Sequence, residues 1–270
     1  DDIRDRKGMW VPPHPHTGLQ TVSWLFDGEV LHRDSVGSEA FVRPGELNLM
    51  TSGDGIAHSE ESPGDHDPIL HGVQLWVALP DPDRRTAEAA FHQHRDLPVV
   101  ELPGATATVL VGEVAGVRSP AHSFTPLVGA EVSLQAGTPA RVPLTPELEY
   151  AVLVVDGPVG VGGEILGRGQ MLYLGRDREV LELFTAVEAS PGARVMLLGG
   201  EPFEEELVMW WNFIGRTHED VVEAREQWMA GLAAGHDERF GVVHGFHGDP
   251  LPAPPMPNTR LRARARSRDS

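Results

Sequence analysis

Two short segments hold the residues best suited to chemistry. In VPPHPHTGLQTVSWLFDG (residues 11–28), His14 and His16 stand two apart, and in GELNLMTSGDGIAHSEE (residues 45–61), His58 and Glu60 do the same. On a β-strand, residues i and i+2 point to one face. Two such pairs on neighbouring strands aim four ligand atoms into one hollow. Three neutral imidazoles and a carboxylate suit a divalent transition metal, and nothing in the set calls for a thiol-loving one. The chain has no cysteine, which excludes disulfides, zinc–thiolate sites, iron–sulfur clusters and cysteine nucleophiles together. A β-barrel metalloprotein is the expectation.

The elements that must carry these residues are short strands. Residues 17–80 divide into TVSWLF, EVLHRDSV, FVRPGELNLM and HGVQLWVALP, separated by turn signals such as Asp27–Gly28 and Gly53–Gly55. Along the first of these, the even positions His14, His16, Gln20, Val22, Trp24 and Phe26 are expected to share one side, the barrel interior. After a polar stretch at 81–96, a second strand series runs from 99 to 198, and it echoes the first. LTPELEYAVLVVDGPV (144–159) superposes on HPHTGLQTVSWLFDGEV at the two Asp-Gly turns, and RGQMLYLG (168–175) on PGELNLMT. His14 and His16 then fall on Pro143 and Thr145, Gln20 on Glu149, and His58 and Glu60 on Glu182 and Phe184. The copy keeps the fold without the ligands. Near the C-terminus, Thr217 to Asp220 reads as a capping box, followed by Val221, Ala224, Trp228 and Leu232 at helical spacing and Gly235 as C-cap.

The chain is 270 residues long, with 40% hydrophobic and 23% charged residues, ordinary for a globular protein. No apolar run approaches the ~20 residues of a membrane span. The net charge of −18 argues against general nucleic-acid binding. The tail RLRARARSRDS, with Arg260, Arg262, Arg264, Arg266 and Arg268 on alternate positions, reads as a solvated end after the proline-rich LPAPPMP. Absence of cysteine fits a reducing cytoplasm, and the chain opens at Asp1, as a trimmed sequence would. Of the remaining histidines, His92 and His94 read as surface residues and His32, with Asp34, as polar strand positions. His71 reads as an approach to the pocket mouth, and His244 and His247 as structural.

HPHTGLQTVSWLFDGEVLHRDSVG, RPGELNLMTSGDGIAHSEES and HGVQLWVALP resemble the N-terminal half of the pirin family of bicupins. GGEPFEEELVMWWNFIGRTHEDV and LPAPPMPNTRLR are similar to the C-terminal part of bacterial pirin-like proteins. The resemblance implies an all-β fold of two tandem cupin (jelly-roll β-barrel) domains with a short C-terminal helical segment packed on them. Its expected divisions are a metal-binding cupin at 1–125, a metal-free cupin plus helix at 126–250, and a Pro- and Arg-rich tail at 251–270. It implies His14, His16, His58 and Glu60 as ligands of one divalent ion, Fe(II) first, with Mn, Ni, Co, Cu or Zn as substitutes. For some bacterial relatives it implies quercetin 2,3-dioxygenase activity on a flavonol and dioxygen, with Glu60 as ligand and proton acceptor. For others it implies redox-sensing regulation through a protein partner, a transcription factor or metabolic enzyme. An isomerase or other cupin reaction on a sugar or small acid is a third, weaker reading. The family usually has Glu where this chain has Gln20, so Gln20 is expected to face substrate or dioxygen without supplying charge. Family members also carry further strand sequence before the HPH segment, so an edge of the first barrel is expected to be missing.

Overall fold

The computed structural model describes residues 2–4, 7–187 and 192–263. The chain forms two compact units, one built from Asp1–Arg95 with the segment from Glu204 onward, the other from Asp96–Phe203. In the first unit the strands are β1 (Trp10–His16), β2 (Leu19–Asp27), β3 (Val30–Asp34), β4 (Glu39–Val42), β5 (Leu47–Thr51), β6 (Ile56–Glu61), β7 (His71–Ala78) and β8 (Ala90–His94). They pair into two four-stranded sheets, β1-β6-β3-β4 and β7-β2-β5-β8, which face each other as a cupin barrel. Pro12, Pro13 and Pro15 lie in β1, an edge strand, where a missing N–H leaves no gap inside the ladder.

The continuous face expected from His14 to Phe26 does not exist. The chain breaks at Thr17 and Gly18, whose φ is +69°, and passes from one sheet to the other between β1 and β2. A Cβ at Gly18 would meet the Ile214 carbonyl oxygen at 2.5 Å, so the crossing needs glycine twice over. The parity count restarts there. On β2, Thr21 and Ser23 oppose Trp76 and Gln74 of β7 and Met50 and Asn48 of β5, and these side chains line the barrel interior. Gln20, Val22, Trp24 and Phe26 lie on the other face of that sheet.

The second unit holds β9 (Val99–Leu102), β10 (Ala105–Val111), β11 (Glu113–Val114), β12 (Val117–Arg118), β13 (Leu127–Gln135), β14 (Ala140–Pro143), β15 (Glu149–Asp156), β16 (Val159–Val161), β17 (Glu164–Leu166), β18 (Met171–Gly175), β19 (Val180–Phe184) and β20 (Gly192–Gly200). Its sheet β14-β19-β16-β17 has the same order as β1-β6-β3-β4, and β20-β15-β18 corresponds to β7-β2-β5. The sequence echo is therefore a topological repeat. Its interior is apolar: Val142, Val159, Val161, Leu181 and Leu183 pack with Val132, Val152 and Val195.

After Glu204 come β21 (Val208–Trp210), β22 (Phe213–Gly215) and the helix α1 (His218–Ala234), which has the expected Thr217–Asp220 capping box and Gly235 in the left-handed conformation. Its apolar stripe, Val221, Ala224 and Trp228, packs with Val208, Phe213, Phe240 and Ala57 of β6. The helix thus belongs to the first unit, correcting the expected 126–250 grouping; the 1–125 boundary likewise moves back to Arg95/Asp96. The tail is also better anchored than expected. Leu251 N–H donates to the Pro13 carbonyl (2.8 Å), Trp228 Nε1 to the Leu251 carbonyl (2.8 Å), and Arg260 pairs with Glu219. Arg264, Arg266 and Arg268 lie outside the described residues.

Candidate metal centre

The site is organised around β6, which lies between β1 and β3. His58 is registered with His14 on one side and Asp34 on the other, while Glu60 is opposite His32. Opposed residues in antiparallel strands share a face. The donor atoms of His14, His16 and His58 lie within 4.8 Å of one another, and so do those of His32, His58 and Glu60. All five side chains are buried, the most accessible being Glu60 at 7%. The facing sheet stands opposite them. Gln74 Nε2 donates to Glu60 Oε1 (2.7 Å), the Trp76 ring meets His16 edge-on at 5.2 Å between centroids, and Phe91 stacks on His32 at 4.3 Å.

Burial sets the electrostatics. It lowers His14 from 6.5 to about 4, with repulsion from His32 adding and the hydrogen bond to the Pro12 carbonyl opposing. It lowers His16 and His58 well below the ordinary range, reinforced in each by neighbouring histidines. Glu60 is pushed up by burial against the attraction of His32 and the Gln74 hydrogen bond. Asp34 is different: burial pushes it up, yet hydrogen bonds from His32 and Ser38 outweigh this and hold it below the usual range.

These features fit a divalent ion. The imidazoles are held uncharged, as ligands must be. His14 Nδ1 lies 2.9 Å from the Pro12 carbonyl and donates to it, leaving Nε2 as the lone pair. His16 Nε2 and His58 Nε2 are 3.0 Å apart. Metal–nitrogen bonds of about 2.0–2.1 Å place adjacent ligand nitrogens about 2.9–3.4 Å apart for right to tetrahedral angles.

The structure brings together His14, His16 and His58, and places Glu60 beside His58 in the second donor group. It does not bring Gln20 to them. Gln20 donates to Thr51 Oγ1 (3.0 Å) on the sheet face that points away from the histidines. His92 and His94, opposite Leu49 and Leu47, lie on that same averted face. His71 opens β7 beside Asp27 and Phe26. Sequence reading set His32 aside as a polar strand position and missed Gln74, Trp76 and Phe91. For His32 the available signal was a carboxylate two residues later on the same strand face; the others come from strands with no ligand of their own.

The family model described as "Pirin" matches residues 1–77, and that of the pirin C-terminal cupin domain matches residues 129–234. A Pseudomonas aeruginosa protein named "Putative quercetin 2,3-dioxygenase PA1205" is 44% identical over 93% of this chain and 76% of its own. The chain belongs to the pirin family. A pirin-like protein of Caulobacter vibrioides is 36% identical over 92% of this chain and 83% of its own length. The crystal structure of quercetin 2,3-dioxygenase from Acinetobacter baumannii superposes with a TM-score of 0.87 at 43% identity, covering 95% of this chain and 82% of that one. Among the described residues, both three-donor groups lie in the first barrel. At the superposed positions of the second, Glu182 and Phe184 point outward and Leu181 and Leu183 fill the interior.

Proposed function

We propose that this protein is a mononuclear metal cupin, iron-loaded in the cytoplasm, that oxidises a flavonol with dioxygen in the manner of quercetin 2,3-dioxygenases. The observation that carries this reading is the buried His14–His16–His58 group with the Glu60 carboxylate beside His58. Those four residues would hold the ion. When bound, it supplies a Lewis acid for the deprotonated 3-oxygen of the flavonol and makes that ring electron-rich toward dioxygen. The chain's own residues do the rest. Glu60, fixed through one oxygen by Gln74, accepts the proton of the flavonol hydroxyl. Trp76, 37% exposed yet in contact with His16, gives the aromatic substrate a surface that runs from solvent to the site. Gln74 and Trp76, both exposed, leave the site open to substrate and dioxygen, and the heterocycle opens with one ring carbon leaving as carbon monoxide. Anaerobic addition of quercetin to iron-loaded protein should shift the flavonol absorption band, and air should then consume it with release of carbon monoxide. An unshifted band and no turnover would refute the proposal; His14→Ala serves as the inactive control.

A second reading, redox-dependent binding of a protein partner, is favoured by one observation: the metal-free barrel exposes Ile165, Met171, Tyr173 and Phe184, each by 46–79%. Equal recovery of partners by reduced and oxidised protein would remove it.

A further inference from the structure

Two buried groups, His32 and Asp34, have no part in the chemistry above, yet hydrogen bonds tie both to the metal-facing histidines. His58 Nε2 lies 3.0 Å from His16 Nε2, whereas its other nitrogen, Nδ1, lies 3.4 Å from His32 Nδ1. His32 Nε2 in turn lies 3.2 Å from Asp34 Oδ2. Asp34 is itself fixed, because its Oδ1 accepts the backbone N–H groups of Val36 (3.1 Å) and Ser38 (2.8 Å). Stacking on Phe91, with the ring planes 15° apart, sets the plane of the His32 ring.

With Asp34 ionised and both the His32 and His58 rings neutral, one placement of protons satisfies this row. An ionised carboxylate only accepts, and a neutral imidazole has one donor and one acceptor nitrogen. His32 Nε2 therefore carries the hydrogen that Asp34 receives, and His32 Nδ1 is a lone pair. That lone pair accepts the hydrogen on His58 Nδ1. His58 Nε2 is then left as a lone pair on the edge of the ring that faces His16. Because His32 meets the opposite edge of the His58 ring, it backs the site instead of competing for the same ion.

We propose that His32 and Asp34 are positioning residues that hold His58 as its metal-facing Nε2 tautomer and pass the Asp34 charge toward it. This rests on the reading that an ion sits among His14, His16 and His58. Groups that orient a ligating histidine in this way typically account for about 10–100-fold of metal affinity.

The test is titration of the metal-free full chain with Co(II), followed by its d–d absorption bands. His32→Ala and Asp34→Asn should each weaken cobalt binding about 10–100-fold and shift the bands at saturation. The double variant should lose no more than the larger single loss, since the two act in series. His32→Gln, whose amide can accept from His58 and donate to Asp34, should recover most of the affinity. If His32→Ala does not fold, Asp34→Asn and His32→Gln decide the matter by the same bands. Wild-type affinity in Asp34→Asn, or multiplying losses with unchanged bands, would overturn the relay. A folded wild-type chain that binds no cobalt would instead overturn the metal reading beneath it.

Discussion

Glu60 and Gln20 show how differently two buried polar residues of the same barrel behave. The Glu60 carboxylate sits in the site and takes a hydrogen bond from Gln74, which also donates to Ser23 Oγ at 3.1 Å. Gln74→Leu should leave that carboxylate without its amide donor and cost about 1–3 kcal/mol of stability in the metal-free protein, measured by urea denaturation. Gln20 hydrogen-bonds Thr51 on the averted face of its sheet. Gln20→Ala should therefore cost about 1 kcal/mol and leave metal stoichiometry, measured by elemental analysis, unchanged. A loss of bound metal in Gln20→Ala would return that residue to the site. The i,i+2 histidine and carboxylate pairs were legible because strand geometry alone sets their common direction. His32 was less so: Asp34 stands two residues on, but its other partners come from β6 and β8, far away in the chain.

At the scale of elements, the site depends on a strand that gives up part of its own hydrogen bonding. β1 carries three prolines and is steadied from outside: Leu251 donates to the Pro13 carbonyl, and Ala57 of neighbouring β6 donates to the Phe240 carbonyl at 3.0 Å. Helix α1 supplies the packing for this arrangement, with Trp228 and Phe240 rings 5.7 Å apart over Ala57. Trp228→Ala removes a 3%-exposed indole and its hydrogen bond to Leu251, and should lower stability by about 3–5 kcal/mol in a urea titration. The helix itself could be read from its capping box and apolar spacing. Its place could not, because a stripe of Val221, Ala224 and Trp228 fits any apolar surface. Similarly, the Asp27–Gly28 turn was recognisable, yet it links β2 and β3, which belong to different sheets.

For the whole molecule, the duplicated barrels differ in what fills them. The first holds imidazoles, amides and a carboxylate; the second holds valine and leucine. The polar interior makes the first unit pH-sensitive when metal is absent. His14 titrates at about 4 in the folded protein and near 6.5 when unfolded, so the unfolded chain binds more protons between these values. Stability present above pH 6.5 is lost as pH falls toward 4, on the order of 3 kcal/mol from His14 alone, with His16 and His58 acting in the same direction. The thermal midpoint of metal-free protein should accordingly drop between pH 7 and pH 5, and His14→Phe should flatten that slope. An unchanged midpoint would show that these rings are not held neutral. No helix among the described residues is long and apolar enough to cross a membrane.

By itself, the sequence determined the β class, the repeat, the capped helix and the chemical type of the donors. Each of these follows from local rules, namely side-chain alternation, turn residues, capping pairs and ligand chemistry, that need no knowledge of distant neighbours. Only the tertiary structure decided which face of β2 looks inward, which unit the helix covers, and that His32 and Asp34 stand behind His58. Those facts arise where the chain changes sheets at Gly18 and Gly28, since parity counted along a strand loses its meaning once the strand ends.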